Sequence, residues 1–204
     1  MIEIKNIHLS FNNTVIFNNY SMKIEKGEKV LIKASSGKGK STLFKTLLGF
    51  QKLDKGDIFI NGKKLGKSNM NYYRRNIGYV SQDVELANRN VWDYITQVFN
   101  YKYNRHIKIT KDQVIDIANY FMLQPDILDK EIIQLSGGER QRLGLIICIL
   151  LDRNIWLLDE VTSGLDEETK KRVVEYVLNL DKTILIISHD NIWCENDIVR
   201  IEEW

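Results

Sequence analysis

The sequence predicts a mixed α/β fold with antiparallel strands first, a helical insertion in the middle and βαβ units at the end. Three observations carry this. A short apolar run, residues 29–33, passes directly into a loop rich in glycine, lysine and serine. A second apolar run, residues 155–158, ends in two acids, Asp159 and Glu160. Between them, from Val84 to about Met122, apolar residues recur mostly at helical spacing.

Taken in order, residues 2–7 alternate apolar and polar, as a strand with one buried face does. Residues 14–17 and 21–24 read as two similar strands, with a turn at 25–28. Residues 29–33 form a buried strand. Residues 40–48 are helical, and Gly49 stands at the position that closes a helix. Residues 57–60 followed by Asn61-Gly62 read as a strand and a hairpin turn. Residues 77–80 are another strand. After the helical segment and the helix opening near Ser136, strands follow at 154–158, 183–187 and 198–201. A helix at 167–178 lies between the first two.

The bulk numbers narrow the class. The chain has 204 residues, 44% hydrophobic and 27% charged, which suits one soluble globular domain with a real core. A formal net charge of +2 gives no footprint for nucleic acid or anionic lipid, so no nucleic-acid partner is expected. The densest basic stretch, residues 102–111, is interleaved with tyrosine and isoleucine and reads as a solvated helix or loop face. The longest apolar run, residues 143–151, is about half the length that crosses a bilayer. The start of the chain alternates like a strand and has no signal-peptide core, so a cytosolic chain is expected. Cys148 and Cys194 lack metal-ligand spacing; Cys148 reads as core, and no disulfide is expected in a reducing compartment. With one proline, Pro125, no flexible linker and no internal repeat, a single domain over 1–204 is expected.

Residues 34–42 read Ala-Ser-Ser-Gly-Lys-Gly-Lys-Ser-Thr. This fits the phosphate-loop pattern at Gly39-Lys40-Ser41, with Gly37 helping the loop to wrap. Backbone N–H groups would face the phosphates, Lys40 would reach the β- and γ-phosphates, and the Ser41 hydroxyl would ligate Mg²⁺. Ala34 stands where the pattern has its first glycine, and alanine resists positive φ, so an altered turn is expected there. Alone, the loop does not choose between kinase, GTPase and ATPase.

Asp159 and Glu160 lie at the carboxyl end of a buried strand, where α/β folds bind ligands. Asp159 can hold Mg²⁺, directly or through water, and Glu160 can polarise an attacking water. His189 ends the strand at 183–187 and can reach a γ-phosphate, although a lone histidine is more often structural. Gln82 follows the strand at 77–80 and can ligate Mg²⁺ or orient water. Finally, Ser136-Gly137-Gly138 opens an amphipathic helix. Its glycines admit an anion to backbone N–H groups, its serine adds a hydroxyl, and the helix adds its positive dipole end. A chain that already has one phosphate loop needs a reason for a second anion element. The reason favoured here is that it serves the nucleotide held by another copy.

These motifs, in this order and over essentially the whole chain, resemble the nucleotide-binding subunit of ATP-binding cassette (ABC) transporters. The matches are the Walker A loop at 34–42 (with Ser36, Gly37, Lys38, Gly39, Lys40, Ser41 and Thr42 expected at the phosphates), the Q-loop Gln82 and the signature at 135–139. Walker B at 155–159 with the adjacent Glu160, the D-loop at 163–166 ending in Asp166, and the switch His189 complete the set. The resemblance implies a P-loop NTPase (RecA-like) core at about 1–83 and 143–204, with an N-terminal antiparallel β subdomain and an inserted helical subdomain at about 84–142. It implies ATP and Mg²⁺ as cofactors, Phe11 as the ring that stacks on adenine, and Glu160, His189 and Gln82 as catalytic groups. Mg²⁺ would be held by Ser41, Gln82 and Asp159. Two copies, or this chain and a related ATPase, would close head to tail around ATP, each nucleotide meeting Ser136, Gly137 and Gly138 of the other copy, with Asp166 also among the nucleotide-binding residues. A separate integral membrane permease subunit would dock on the helical segment, placing the protein in the cytoplasm at the inner face of the cell membrane. The alternative within the resemblance is a soluble ABC ATPase acting in protein or cluster assembly.

The pattern departs at Val161, where a proline is usual, and at Ile147, where an arginine is common. Neither change removes a catalytic group, so an active ATPase is expected. Residues 72–82 and 128–132 look like those of compact bacterial subunits, such as the metal (iron) exporter ATPases. The short stretch after His189 gives the expectation of no C-terminal regulatory domain.

Overall fold

The computed structural model describes residues 2–12, 14–35, 37–84 and 86–204. By contacts the chain divides into two compact units: Met1–Gly78 with Asn154–Leu158 and Asp181–Trp204, and Tyr79–Arg153 with Asp159–Leu180.

The first unit is built on sheets. β1 (Ile2–Phe11) pairs antiparallel with β2 (Thr14–Ile24) and with β4 (Lys55–Ile60), and β5 (Lys63–Lys64) extends that sheet in the order β2-β1-β4-β5. Ile2, Ile4, Ile7 and Leu9 point into the core, so the strict alternation slips by one residue after Ile4. The slip is a bulge in which Asn6 takes φ 47°, a left-handed value that asparagine tolerates. Asn19 does the same at φ 56° in β2. For this reason the two short strands expected at 14–17 and 21–24 are one continuous strand: the bulge absorbs the break in alternation without ending the pairing.

The second sheet has the order β6-β7-β8-β3-β9, formed by β3 (Lys29–Lys33), β6 (Ile77–Val80), β7 (Ile155–Asp159), β8 (Thr183–Ile187) and β9 (Val199–Glu203). β3 pairs in parallel with β8 and β9, Val30 facing Leu185 on one side and Arg200 on the other. Parallel strands covered on both faces need unbroken apolar runs, and every residue of β7 and β8 is buried. α1 (Lys40–Leu47) follows β3 and stops at Leu48 and Gly49, where φ 71° suits only a residue without a side chain. Leu43, Phe44 and Leu47 of α1 join Ile4, Phe17, Val30, Ile32, Leu157 and Leu185 in one hydrophobic cluster. α2 (Met70–Asn76) precedes β6 and buries Tyr73.

The second unit is helical: α3 (Val91–Asn100), α4 (Lys111–Tyr120), α5 (Gly137–Leu151) and α6 (Glu167–Asn179). Each start is capped by a side chain, from Asn90, Thr110, Ser136 and Asp166. The basic stretch is a turn segment joining α3 to α4, closed by Asn104, whose side-chain amide donates to Val98 O at 2.8 Å. Cys148 is buried in α5, and no disulfide joins it to Cys194. Among the described residues no helix is long and apolar enough to cross a membrane.

Candidate functional site: a phosphate loop and a separate glycine lip

In the first unit, β3 delivers the chain into the glycine-rich loop and α1 takes it away. The left-handed positions there are Gly37 at φ 82° and Gly39 at φ 92°. Ala34 is not among the residues at positive φ, as its methyl requires. Gly39 is irreplaceable on a second count: a Cβ there would lie 2.5 Å from Ile16 Cγ2. Lys40 folds its side chain back over the loop. Its ammonium donates to Ala34 O at 2.7 Å and to Ser35 O at 3.3 Å, and lies 3.3 Å from His189 Nε2. An ammonium offers donors only, so Nε2 accepts and the ring proton belongs on Nδ1. Lys38 and Ser41 are exposed, Ser41 in the first turn of α1, where an anion meets the positive dipole end. Thr42 is half-buried and its carbonyl accepts from Thr46 Oγ1 at 2.8 Å. Ser36 lies outside the described residues.

At the end of β7, Asp159 is 3% exposed and Glu160 is 8% exposed. Glu160 adopts φ 52°, a left-handed backbone that a glutamate rarely takes. It opens a turn closed by Ser163 N donating to Glu160 O at 3.0 Å, and Leu165 N donates to Thr162 O at 3.3 Å. Backbone strain of this kind persists where the surroundings over-determine it, and it gathers at functional sites. Val161, the residue inside that turn, is buried, so valine fills the place by packing. The charge of Asp159 is felt nearby: the phenol of Tyr79 is pushed up to about 12, first by burial and then by that carboxylate.

The second unit holds a cleft of about 550 Å³ lined by Gln82, Ser136, Gly137, Gly138, Arg142 and Asp166, among others. The structure thus brings five of the predicted site residues together. Ser136 caps α5: its hydroxyl oxygen accepts from Glu139 N at 3.2 Å, and Glu139 Oε2 accepts from Ser136 N at 2.8 Å. That backbone N–H holds the Glu139 carboxyl below its ordinary range, against the opposing effect of burial. Gly137 has open space where a Cβ would be, whereas one on Gly138 would stand 3.3 Å from Leu165. Arg142 secures the lip by donating to Gly138 O at 3.2 Å and to Phe121 O at 3.2 Å. Asp166 caps α6, accepting from Thr169 N at 3.0 Å and from its hydroxyl at 2.7 Å, and these bonds hold its carboxyl low. Gln82 is exposed, and the backbone beside it is fixed by Gln141 donating to Ser81 O at 3.3 Å.

Phe11 stands at the far end of β1, 41% exposed and paired with Thr14. Three contributors escaped the sequence reading: Arg142, Gln141 and the carbonyls of Ala34 and Ser35. The spacing Ser136-x-x-Glu139 is a capping box and was a readable sign of the first-turn geometry. The parking of Lys40 on its own loop leaves no such sign.

Two features therefore define the class: a parallel-sheet phosphate loop with its lysine, and a capped glycine lip on a separate helix. Residues 17–163 match the family described as ABC transporter. The chain belongs to the ABC transporter family, as an ATP-binding cassette of the ATPase class. It is 36% identical over 190 residues to the ABC transporter ATM1 of Plasmodium falciparum, covering 87% of this chain and 17% of that protein. It is 32% identical over 204 residues to the energy-coupling factor transporter ATP-binding protein EcfA1 of Mycoplasmopsis synoviae, covering 93% of this chain and 74% of that one. Its fold is that of a dimeric ATP-binding cassette solved in a post-hydrolysis state with ADP and Pi, at TM-score 0.80 and 23% identity, over 95% of this chain and 90% of that one.

Proposed function

We propose that this chain is the ATP-hydrolysing subunit of a membrane transporter, and that two copies close around ATP to power a separate transmembrane subunit. The observation that carries the reading is the presence of two anion elements of different design: a loop whose lysine is already held within it, and a glycine lip that lines its own open cleft. In this reading the lip serves the phosphate held by the other copy. The nucleotide would lie between the loop of one copy, with Gly37, Lys38, Gly39, Lys40, Ser41 and Thr42, and Ser136, Gly137, Gly138 and Asp166 of the other. Phe11, exposed at the end of its strand, offers a ring face to adenine. The domain assignment follows: one ATP-binding domain over 1–204, core at about 1–83 and 143–204, helical part at about 84–142.

For the chemistry, Lys40 would exchange its carbonyl acceptors for phosphate oxygens, and His189, with a ring proton on Nε2, would donate to a γ-phosphate oxygen. Glu160 would take the proton of the attacking water at its carboxylate, and Gln82 would orient that water. Ser41, Gln82 and Asp159 offer only oxygen donors, the set that Mg²⁺ requires, and bound there it would neutralise charge on the β- and γ-phosphates. The partner named for relatives such as EcfA1, a transporter, supports an integral membrane permease as the second component and a position at the inner face of the cell membrane.

The test is Glu160→Gln. It should slow hydrolysis by about 10²- to 10⁴-fold while ATP binding persists, and ATP should then hold a dimer visible by size exclusion. Hydrolysis at the wild-type rate would remove Glu160 from the role of base. Purification from detergent-solubilised membranes tests the rest: a protein that brings down no integral membrane protein is not a transporter subunit, and the soluble assembly ATPase takes its place.

A further inference from the structure

We propose that Trp204 is a positioning residue for the phosphate loop, acting with Tyr20 and Phe17 as an aromatic buttress; this rests on the reading of that loop as the ATP site. The buttress reaches the loop at both ends. At the entrance, Trp204 N donates to Lys33 O at 3.1 Å, on the last residue of β3 before the loop begins. At the exit, a Cβ on Gly39 would lie 3.5 Å from two ring carbons of Phe17, so Phe17 defines the wall against which that glycine rests. The three rings bind these ends together. Trp204 meets Tyr20 at 4.9 Å and Phe17 at 5.7 Å, both edge to face, and Phe17 stacks with Tyr20 at 6.1 Å.

The geometry of the trio is fixed by polar contacts as well as by packing. The indole Nε1–H donates to the Tyr20 hydroxyl at 3.1 Å, and that hydroxyl donates to Met22 Sδ at 2.9 Å. Burial holds the phenol protonated far into the alkaline range, so this chain of bonds persists at every physiological pH. Trp204 also lines a small cleft of about 360 Å³ with Lys33, Ala34, Ser35 and His189. Ala34, Ser35 and His189 are the residues that hold the Lys40 ammonium. When Lys40 leaves these partners for phosphate, the wall facing the indole changes. The tryptophan is thus both a support of the loop and a reporter of its state. Trp156 and Trp193 are fully buried elsewhere in the core.

The experiment compares the full chain with Trp204→Ala and Trp204→Phe. Radiolabelled ATP gives the Kd, steady-state hydrolysis gives KM and kcat, and thermal unfolding checks the fold. Losing two edge-to-face ring contacts should raise Kd and KM about five- to tenfold, with kcat little changed, and Trp204→Phe should restore most of the affinity. Emission of the wild type minus that of Trp204→Phe isolates the indole, and MgATP should shift it. A folded Trp204→Ala with wild-type Kd and KM overturns the proposal. Should that variant fail to fold, the emission difference decides: no response to MgATP overturns the proposal, and a response sustains it. A wild type that binds no ATP overturns the ATP-site reading and the proposal with it, an outcome distinct from the others.

Discussion

The two anion elements of this protein differ in how their shape is maintained. The phosphate loop is closed on itself and walled by β2: Gly39 rests against Ile16 and Phe17, and Lys40 is held by Ala34 O and Ser35 O. The glycine lip is shaped from behind. Ser136 and Glu139 cap each other, Arg142 ties Gly138 O to Phe121 O, and the face of Gly137 is left open. One element is internally satisfied before any ligand arrives; the other is rigid but presents unfilled space. A loop whose lysine is held over it has the form of a site that keeps its own ligand, and a braced lip with one open glycine face has the form of a surface that meets one.

The sharpest way to break this contrast is at Lys40. Lys40→Ala removes the buried cation held over the loop and should lower ATP affinity by about 10- to 100-fold. Titration with labelled ATP measures it; an unchanged Kd would detach the loop from the nucleotide. The glycines come next. Gly39→Ala must hold φ 92° with its methyl against Ile16, at a cost of about 1–3 kcal/mol in stability. Gly137→Ala meets open space and should change stability by no more than about 0.5 kcal/mol. It should nonetheless lower ATPase activity, because its methyl occupies the space an anion would use. Chemical denaturation and hydrolysis assays of the pair separate a glycine required by folding from one required by the ligand. Equal destabilisation in both would erase the distinction.

The same contrast explains how much could be read from the sequence. Buried strands such as β7 and β8 were plain, since parallel strands covered on both faces must be apolar throughout. The candidate site residues stand in the sequence as types in order, because phosphate and metal chemistry restrict which side chains can serve. The continuity of β2 was hidden, because Asn19 in a left-handed bulge looks like a turn residue. The left-handed backbone of Glu160 was hidden too, since nothing about a glutamate announces φ 52°. The seat of Lys40 on Ala34 and Ser35 was unreadable for a different reason. Every residue offers a carbonyl, so a bond to one leaves no compositional trace.

Ser136 carries two burdens that a double comparison can part. Ser136→Ala loses the acceptor for Glu139 N and should cost about 1 kcal/mol of stability. Ser136→Asn keeps a capping acceptor and should recover most of it, yet its larger amide projects into the lip, so ATPase activity should stay low. Recovery of both properties by asparagine would make Ser136 a cap and nothing more.

The smallest expected effect is in pH, and it falls on the lip rather than the loop. Glu139 is held below its ordinary value by Ser136 N–H, and Asp166 is held low by Thr169 N–H and hydroxyl. For a carboxylate whose folded pKa is depressed, the stabilisation is present above the unfolded value and is lost as pH falls through the folded one. Those unfolded values are 4.5 for Glu139 and 3.8 for Asp166. The N-terminal turns of α5 and α6 should therefore loosen only as pH falls below these ordinary values, first at α5 and then at α6. Amide hydrogen exchange at Glu139 and Thr169, the residues whose N–H groups these caps receive, follows the change directly. In Glu139→Gln the acid-dependent part at α5 should vanish while that at α6 remains. Acid-dependent protection at α5 that is the same in Glu139→Gln as in the wild type would mean that the lip is braced by Arg142 and packing alone.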